Sequence, residues 1–258
     1  MIDALYIGAT GMHAQQQNVD VIANNLANVN TSGFKKNKIT FQDAYYRATA
    51  PASIDSIAQT PIMLGMGAMV SGNSKVFTQG EIKATESPLD LAIRGNGFFE
   101  VLMPDGSSAF SKFGALKVNE SGVLATSAGY ELKPQIEIPI DIVEVVVDSQ
   151  GRVSGRTANS TKLEDLGQLE LVSFPSLDGL NAIGENLYRA TDAAGEMITG
   201  LPGDEGFGTI AQGYLESSNV KLAEEMVSLV LAQRAYELNA KVIQASDDMM
   251  AISNNLRR

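Results

Sequence analysis

At 258 residues the chain has room for a sizeable core, or for two modest domains plus a helical part. It holds no cysteine and a single histidine, which excludes a disulfide scaffold, a thiolate metal site and any multi-histidine metal centre. The net charge of −11 is unevenly placed: residues 1–46 carry three acids and three bases, residues 217–258 carry five of each, and the middle holds the whole excess. Near-neutral ends suit close packing of many copies, while an acidic middle suits a solvated face. The only basic cluster (Lys35, Lys36, Lys38) is short and balanced by nearby acids, which argues against nucleic acid as a partner.

The chain opens with an amphipathic pattern. Leu5, Ala9, Met12, Val19, Ile22 or Ala23, Leu26 and Val29 recur in steps of three and four, with Gln16 as the polar step, and predict a helix with one apolar stripe. Asn28 to Gly33 should end it, because Asn and Gly tolerate the left-handed conformation that closes helices. The same opening residues lack the basic start and continuous apolar run of a secretory signal, since Asp3 comes early and Gln15 to Asn18 interrupt it. No stretch reaches the ~18 apolar residues of a membrane span.

Phe34 should anchor the returning chain, with Ile39, Phe41, Tyr45 and Tyr46 extending the contact. Residues 47–68 read as irregular, since Pro51 and Pro61 interrupt regular elements. Their apolar residues Ile54, Ile57, Ile62, Met63 and Leu64 are too many for an idle linker, and predict a segment that orders against another subunit.

Strands follow at 69–71, 75–78, 89–93 and 98–102, with Asp105-Gly106 marking a hairpin before 108–111. A tight turn at Asn119-Glu120-Ser121-Gly122 separates 115–118 from 123–125, and Ile136, Ile138 and Ile140 alternate as an edge strand near Pro139. A third hairpin joins 143–147 to 152–154, and a last strand spans 168–174. Turn signals at this rhythm predict antiparallel sheet rather than βαβ units. Residues 178–213 are turn-rich, and Gln212 to Glu216 lead back to a second helix capped by Ser217 or Ser218. Its stripe is Leu222, Met226, Leu229, Tyr236, Ala240 and Ile243, with Gln233 as the polar step, and then shifts to Met249, Ile252 and Leu256, joined by Val242 and Ala245.

The expected fold is α+β and mainly β. A central antiparallel module (69–213) is flanked by terminal helices (1–46 and 214–258) that pair as a coiled-coil-like assembly domain, with 47–68 as an intersubunit segment. A catalytic centre is unsupported: His13 reads as a packed or interface residue, Asp247 and Asp248 point about 100° apart on a helix, and Asn159-Ser160-Thr161 is most simply a polar loop. No cofactor is expected. Asn24, Asn25, Asn28 and Asn239 have two readings, as exposed amides or as buried amides that bond across subunits and fix helix register.

Three motifs now carry a family resemblance. Asn18-Val19-Asp20-Val21-Ile22-Ala23-Asn24-Asn25-Leu26-Ala27-Asn28-Val29-Asn30-Thr31-Ser32-Gly33-Phe34-Lys35, preceded by Ala9-Thr10-Gly11-Met12, resembles the N-terminal motif of bacterial flagellar rod and hook proteins. Gly213-Tyr214-Leu215-Glu216-Ser217-Ser218-Asn219-Val220 with Gln233-Arg234-Ala235-Tyr236-Glu237-Leu238-Asn239 resembles the C-terminal one, and Pro88 to Phe99 matches the middle. In length and in its Gly213–Val220 form the chain is most similar to the family's distal rod branch, with the larger proximal rod branch as nearest alternative. The resemblance implies a non-enzymatic subunit of the basal-body rod, the drive shaft spanning the periplasm. It implies helical self-assembly, proximal rod and hook proteins as partners, surrounding ring proteins as possible contacts, and delivery by the flagellar type III export apparatus. The reading of a different class is a secreted cell-wall-binding or peptidoglycan-processing β protein.

Overall fold

The computed structural model describes residues 2–49, 62–158 and 162–255. Ile54, Ile57 and the Asn159-Ser160-Thr161 triplet lie outside them. The fold is α+β: antiparallel sheets occupy the centre of the chain, and the N- and C-terminal helices contact each other. Backbone packing divides the chain into two units, one of residues 1–27, 37–76 and 221–258, the other of residues 28–36 and 77–220.

In the first unit α1 (Ile2–Ala27) and α2 (Leu222–Asn255) run antiparallel, since Gly8 meets Ile243, Gly11 meets Asn239 and Asn25 meets Glu225. The N-terminal pattern ends as expected, with Ala27 the last helical residue. Ser217 and Ser218 do not cap α2, which begins at Leu222. The side chain of Asn219 accepts from the Lys36 amide at 2.8 Å and donates to the Thr78 carbonyl at 3.1 Å, which holds the chain outside the helix past the serines.

Two ribbons complete this unit. Asn37–Asp43 pairs antiparallel with Ala68–Lys75, and Tyr46–Thr49 pairs with Ile62–Gly65. Neither partner at 37–49 was legible as a strand, and the segment expected to be irregular carries strands on both flanks. The prolines at 51 and 61 fall just outside those flanks, so they do not interrupt the ladder. The two short strands expected at 69–71 and 75–78 are one strand: a bulge at Ser71 lets Gly72 and Asn73 stay in the ladder, and pairing stops at Lys75. Phe41, Tyr45 and Tyr46 are exposed rather than packed as an anchor.

The second unit is built on a seven-stranded sheet in the order Leu180–Gly184, Leu187–Ala190, Ser108–Ser111, Phe99–Leu102, Glu131–Lys133, Leu124–Thr126, Leu116–Val118. The hairpins read from Asp105-Gly106 and Asn119 to Gly122 are both present in it. A three-stranded sheet of Ile142–Val147, Arg152–Thr157 and Leu163–Gln168 carries the third hairpin. The expected strand at 168–174 is split, ending one sheet at Gln168 and joining another at Leu171–Ser173. Ile136 and Ile138 are buried and Ile140 is fully exposed, but the run forms a single bridge, Glu137 to Val123, rather than a strand, with the Leu124 amide donating to the Ile136 carbonyl and the Ile138 amide to the Gly122 carbonyl. The turn-rich stretch 178–213 contributes four short strands and two 3-10 turns.

Buried apolar side chains fall into two clusters. The larger includes Leu91, Ile93, Phe99, Val101, Leu124, Leu132, Ile136, Val153, Leu169 and Leu171. The smaller is aromatic, with Phe110 edge-on to Phe174 at 4.8 Å and Phe77 edge-on to Tyr188 at 5.2 Å.

Candidate functional site

The seam between α1 and α2 is narrow and largely small or polar. On α1 the residues facing the partner include Gly8, Gly11, Ile22 and Asn25. A Cβ at Gly8 would come within 2.8 Å of Ile243, and one at Gly11 within 2.9 Å of the Asn239 amide, so the glycines permit the close approach. On α2 the seam runs Glu225, Leu229, Ala232, Tyr236, Asn239, Ile243 and Ser246 in alternating steps of four and three, with Glu225, Ala232 and Ser246 buried.

The apolar stripe read from sequence on α1 therefore sits beside the seam, whereas that on α2 shares Leu229, Tyr236 and Ile243 with it. Leu5, Met12, Val19 and Leu26 flank the α1 seam and are half-buried. Leu229 and Ile243 lie on the α2 seam half-buried, whereas Leu222, Met226 and Tyr236 are exposed. Periodicity shows which face is apolar, not which neighbour covers it. Between the helices on that flank, Gln16 and Val19 of α1 and Gln233, Tyr236 and Glu237 of α2 line an open groove of about 380 Å³. On another face of α2, Leu231, Leu238, Val242, Met249 and Ile252 are all exposed. His13 is exposed on α1, beside Thr10, Gln17 and the Ala68–Val70 backbone.

The four asparagines separate. Asn25 is buried, donates to the Asn37 carbonyl at 2.9 Å and to Glu225 Oε2 at 3.2 Å, and accepts from the Asn37 amide at 2.8 Å. It thus fixes α1 against α2 within one chain. Asn239 is half-buried against Gly11. Asn24 is exposed, and Asn28 accepts from the Thr31 hydroxyl at 3.2 Å. Met63 and Leu64 are exposed on their strand.

Sequence reading missed the most buried ion pair among the described residues. In the second unit Lys35 Nζ lies 2.6 Å from Glu216 Oε1, both side chains essentially inaccessible to solvent. Lys35 also donates to the Thr78 carbonyl at 2.9 Å, the Gly80 amide donates to Glu216 Oε1 at 2.6 Å, and the Gly33 amide donates to the Glu216 carbonyl at 2.7 Å. The N-terminal and C-terminal motifs therefore meet in one charged, hydrogen-bonded clasp. Each residue lies within its motif, but a lysine and a glutamate 181 positions apart carry no periodic signal.

Lys112 stands near this clasp, donating to the Gly95 carbonyl at 3.0 Å. Burial, and then repulsion from Lys35, bring its pKa down to about 8 against the attraction of Glu216. Burial and then the Glu216 charge push the Tyr188 phenol up. Between about pH 8 and the ordinary lysine value the unfolded chain holds a Lys112 proton that the folded chain has lost, so stability rises with pH there. Above the ordinary tyrosine value the unfolded phenol ionises first, and stability falls again. Lys112→Met should raise the melting temperature at pH 7 and flatten the rise between pH 8 and 10; an unchanged pH profile would show that Lys112 is not the group responsible.

Among the described residues no group of three His, Cys, Asp or Glu side chains is placed to hold a metal ion, and no helix is long and apolar enough to cross a membrane.

Comparison with known proteins gives three family matches along the chain. Residues 5–35 match the model described as flagella basal body rod protein, residues 92–155 the flagellar hook protein FlgE/F/G D1 domain, and residues 211–256 the flagellar basal body rod FlgEFG protein C-terminal region. The flagellar basal-body rod protein FlgG of Borreliella burgdorferi is 43% identical over the whole of both chains, and that of Bacillus subtilis 36% identical over the whole of both. The flagellar basal-body rod protein FlgF of Caulobacter vibrioides is 32% identical over 96% of this chain and 95% of its own. With matches of this extent from end to end, the chain belongs to the bacterial flagellar basal-body rod protein family, whose members are structural components of the motility apparatus.

Proposed function

We propose that this chain is a subunit of the distal rod, assembling helically with copies of itself and linking the rod to the hook. The observation that carries self-assembly is the helix pair, which leaves apolar side chains uncovered on two faces in a single chain. The distal position is supported by the Gly213–Val220 form and the chain length. A larger proximal rod subunit is the alternative. On this reading the terminal helices (1–46 and 214–258) form the axial core, the module at 69–213 faces outward, and the role is mechanical rather than catalytic. Its partners are the proximal rod and hook proteins, the surrounding rings and the type III export apparatus, and its place is the rod where it crosses the periplasm.

The test is deletion of the gene from a motile cell. Cells without the chain should build the proximal rod and fail to add a hook, and labelled protein should mark the hook-side end of purified basal bodies. Normal hooks in the deletion would refute the proposal, and label confined to the export-side end would replace distal by proximal.

The segment 50–64 is part of this proposal as a contact between subunits. Its flanks define a clean test, because Thr49 and Ile62 are paired across the ladder and a two-residue Asn-Gly turn in place of residues 50–61 closes the ribbon. That replacement should leave the fold intact while softening or aborting the polymer. Filaments of unchanged stiffness by electron microscopy would remove the segment from the interface.

A further inference from the structure

We propose that the cavity beside Phe98, within the second unit, is a binding site for a small aromatic carboxylate, whose ring lies against Phe98 and Phe174 and whose oxygens take the spare donors of the Lys112 ammonium. The local chain builds both halves of such a site. The turn Gly95-Asn96-Gly97 delivers Phe98 to the end of the Phe99–Leu102 strand, and Lys112 follows directly on its neighbour, Ser108–Ser111. Gly97 has φ +132°, and a Cβ there would come within 3.2 Å of Leu171, so the turn packs tightly only with glycine.

The cavity has a volume of about 240 Å³. Phe77, Phe98 and Phe174 give it an apolar wall, while Lys112, Asn96 and Ser173 supply polar groups. Phe77 and Phe174 stand edge-on to Phe98, at 5.5 and 6.3 Å between ring centres. An apolar cavity of ~150 Å³ holds benzene, and drug-sized ligands occupy roughly 300 Å³ or more. The space therefore suits one ring bearing one short polar group.

Charge selects an anion for that group. Lys112 is 5% exposed, and an ammonium has three donors. Among the described residues one donor meets an oxygen, the Gly95 carbonyl at 3.0 Å, and Nζ stands 5.7 Å from the centre of the Phe98 ring. Lys112 feels the charges of Lys35 and Glu216, but Glu216 already accepts from Lys35 and from the Gly80 amide, each at 2.6 Å. Tyr188, pushed up by burial and by Glu216, stays neutral. The buried group thus sets two lysines against one carboxylate. An excess cation out of water costs stability, and a carboxylate in the cavity removes that cost. The same lysine that destabilises the free chain therefore gives the cavity its selectivity.

Calorimetric titration of the full chain at pH 7 with benzoate, benzamide, acetate and N-acetylphenylalanine tests the site. Benzoate should bind saturably, one to one, and raise the melting temperature. Benzamide keeps the ring without the charge, and should bind about tenfold more weakly or less. Acetate keeps the charge without the ring, and should also be weaker. Lys112→Met should lose benzoate affinity by the factor that separates benzoate from benzamide. A second readout needs no variant: benzoate should slow acetylation of Lys112 by acetic anhydride, followed by peptide mass spectrometry, and leave exposed Lys117 unaffected. No saturable binding, equal binding of benzamide, full affinity in Lys112→Met, or unprotected Lys112 would each overturn the site. Tighter binding of N-acetylphenylalanine than of benzoate would overturn the small free acid in favour of a peptide end.

Discussion

Glu216→Gln is expected to lower the melting temperature by roughly 10 °C, a loss of about 3–5 kcal/mol. Glutamine keeps the size of the side chain and leaves an oxygen for the Gly80 amide, so the change isolates the charge. Lys35 is then a fully buried ammonium beside a neutral amide, with its bond to the Thr78 carbonyl kept. Taking one partner from a buried pair costs far more than the pair contributes over an apolar replacement. The double variant Lys35→Met with Glu216→Leu should therefore recover most of the lost stability. Calorimetry of the three proteins distinguishes the cases. A Glu216→Gln melt within about 2 °C of the parent would mean that the clasp holds nothing.

Leu229→Asp should abolish polymerisation while the central sheets melt unchanged. Leu229 lies half-buried on the α2 seam, one turn from buried Glu225 and next to buried Ala232 on the same face. An aspartate there puts a second acid beside Glu225 and desolvates a charge without a partner, at a cost of several kcal/mol. Long helices are marginal without the packing of their apolar face, so α1 and α2 should separate and both assembly faces should be lost with them. Sedimentation should show a monomer at concentrations where the parent forms filaments, and tyrosine near-ultraviolet dichroism of the sheet module should persist. Filaments of normal length from this variant would show that the seam does not organise the assembly surface.

The legible parts of this fold were those governed by short-range chemistry. Asp105-Gly106 and Asn119 to Gly122 specify their hairpins locally, through the backbone conformations that those residues adopt cheaply. Both terminal helices were visible because their periodicity spans many turns. The ribbon of Asn37–Asp43 with Ala68–Lys75 was hidden: its strands lie far apart in sequence, and the glycine and asparagine at 72 and 73 imitate a turn. The α1 side of the helix seam was hidden for a related reason. Gly8 and Gly11 are invisible to a search for apolar side chains, yet they set the closest approach in the pair. The apolar positions that were visible, Leu5 to Leu26 on α1, flank that seam and are half-buried. The Lys35–Glu216 clasp lay within two recognised motifs, but only the folded chain brings the motifs together.

A helical reconstruction of filaments grown from the purified chain tests the central claim most directly. The account predicts a single repeating subunit whose α1–α2 pairs line the inner wall, with the sheets outside. A reconstruction with the helix pairs solvated on the outer surface, and the sheets forming the only contacts between copies, would contradict it.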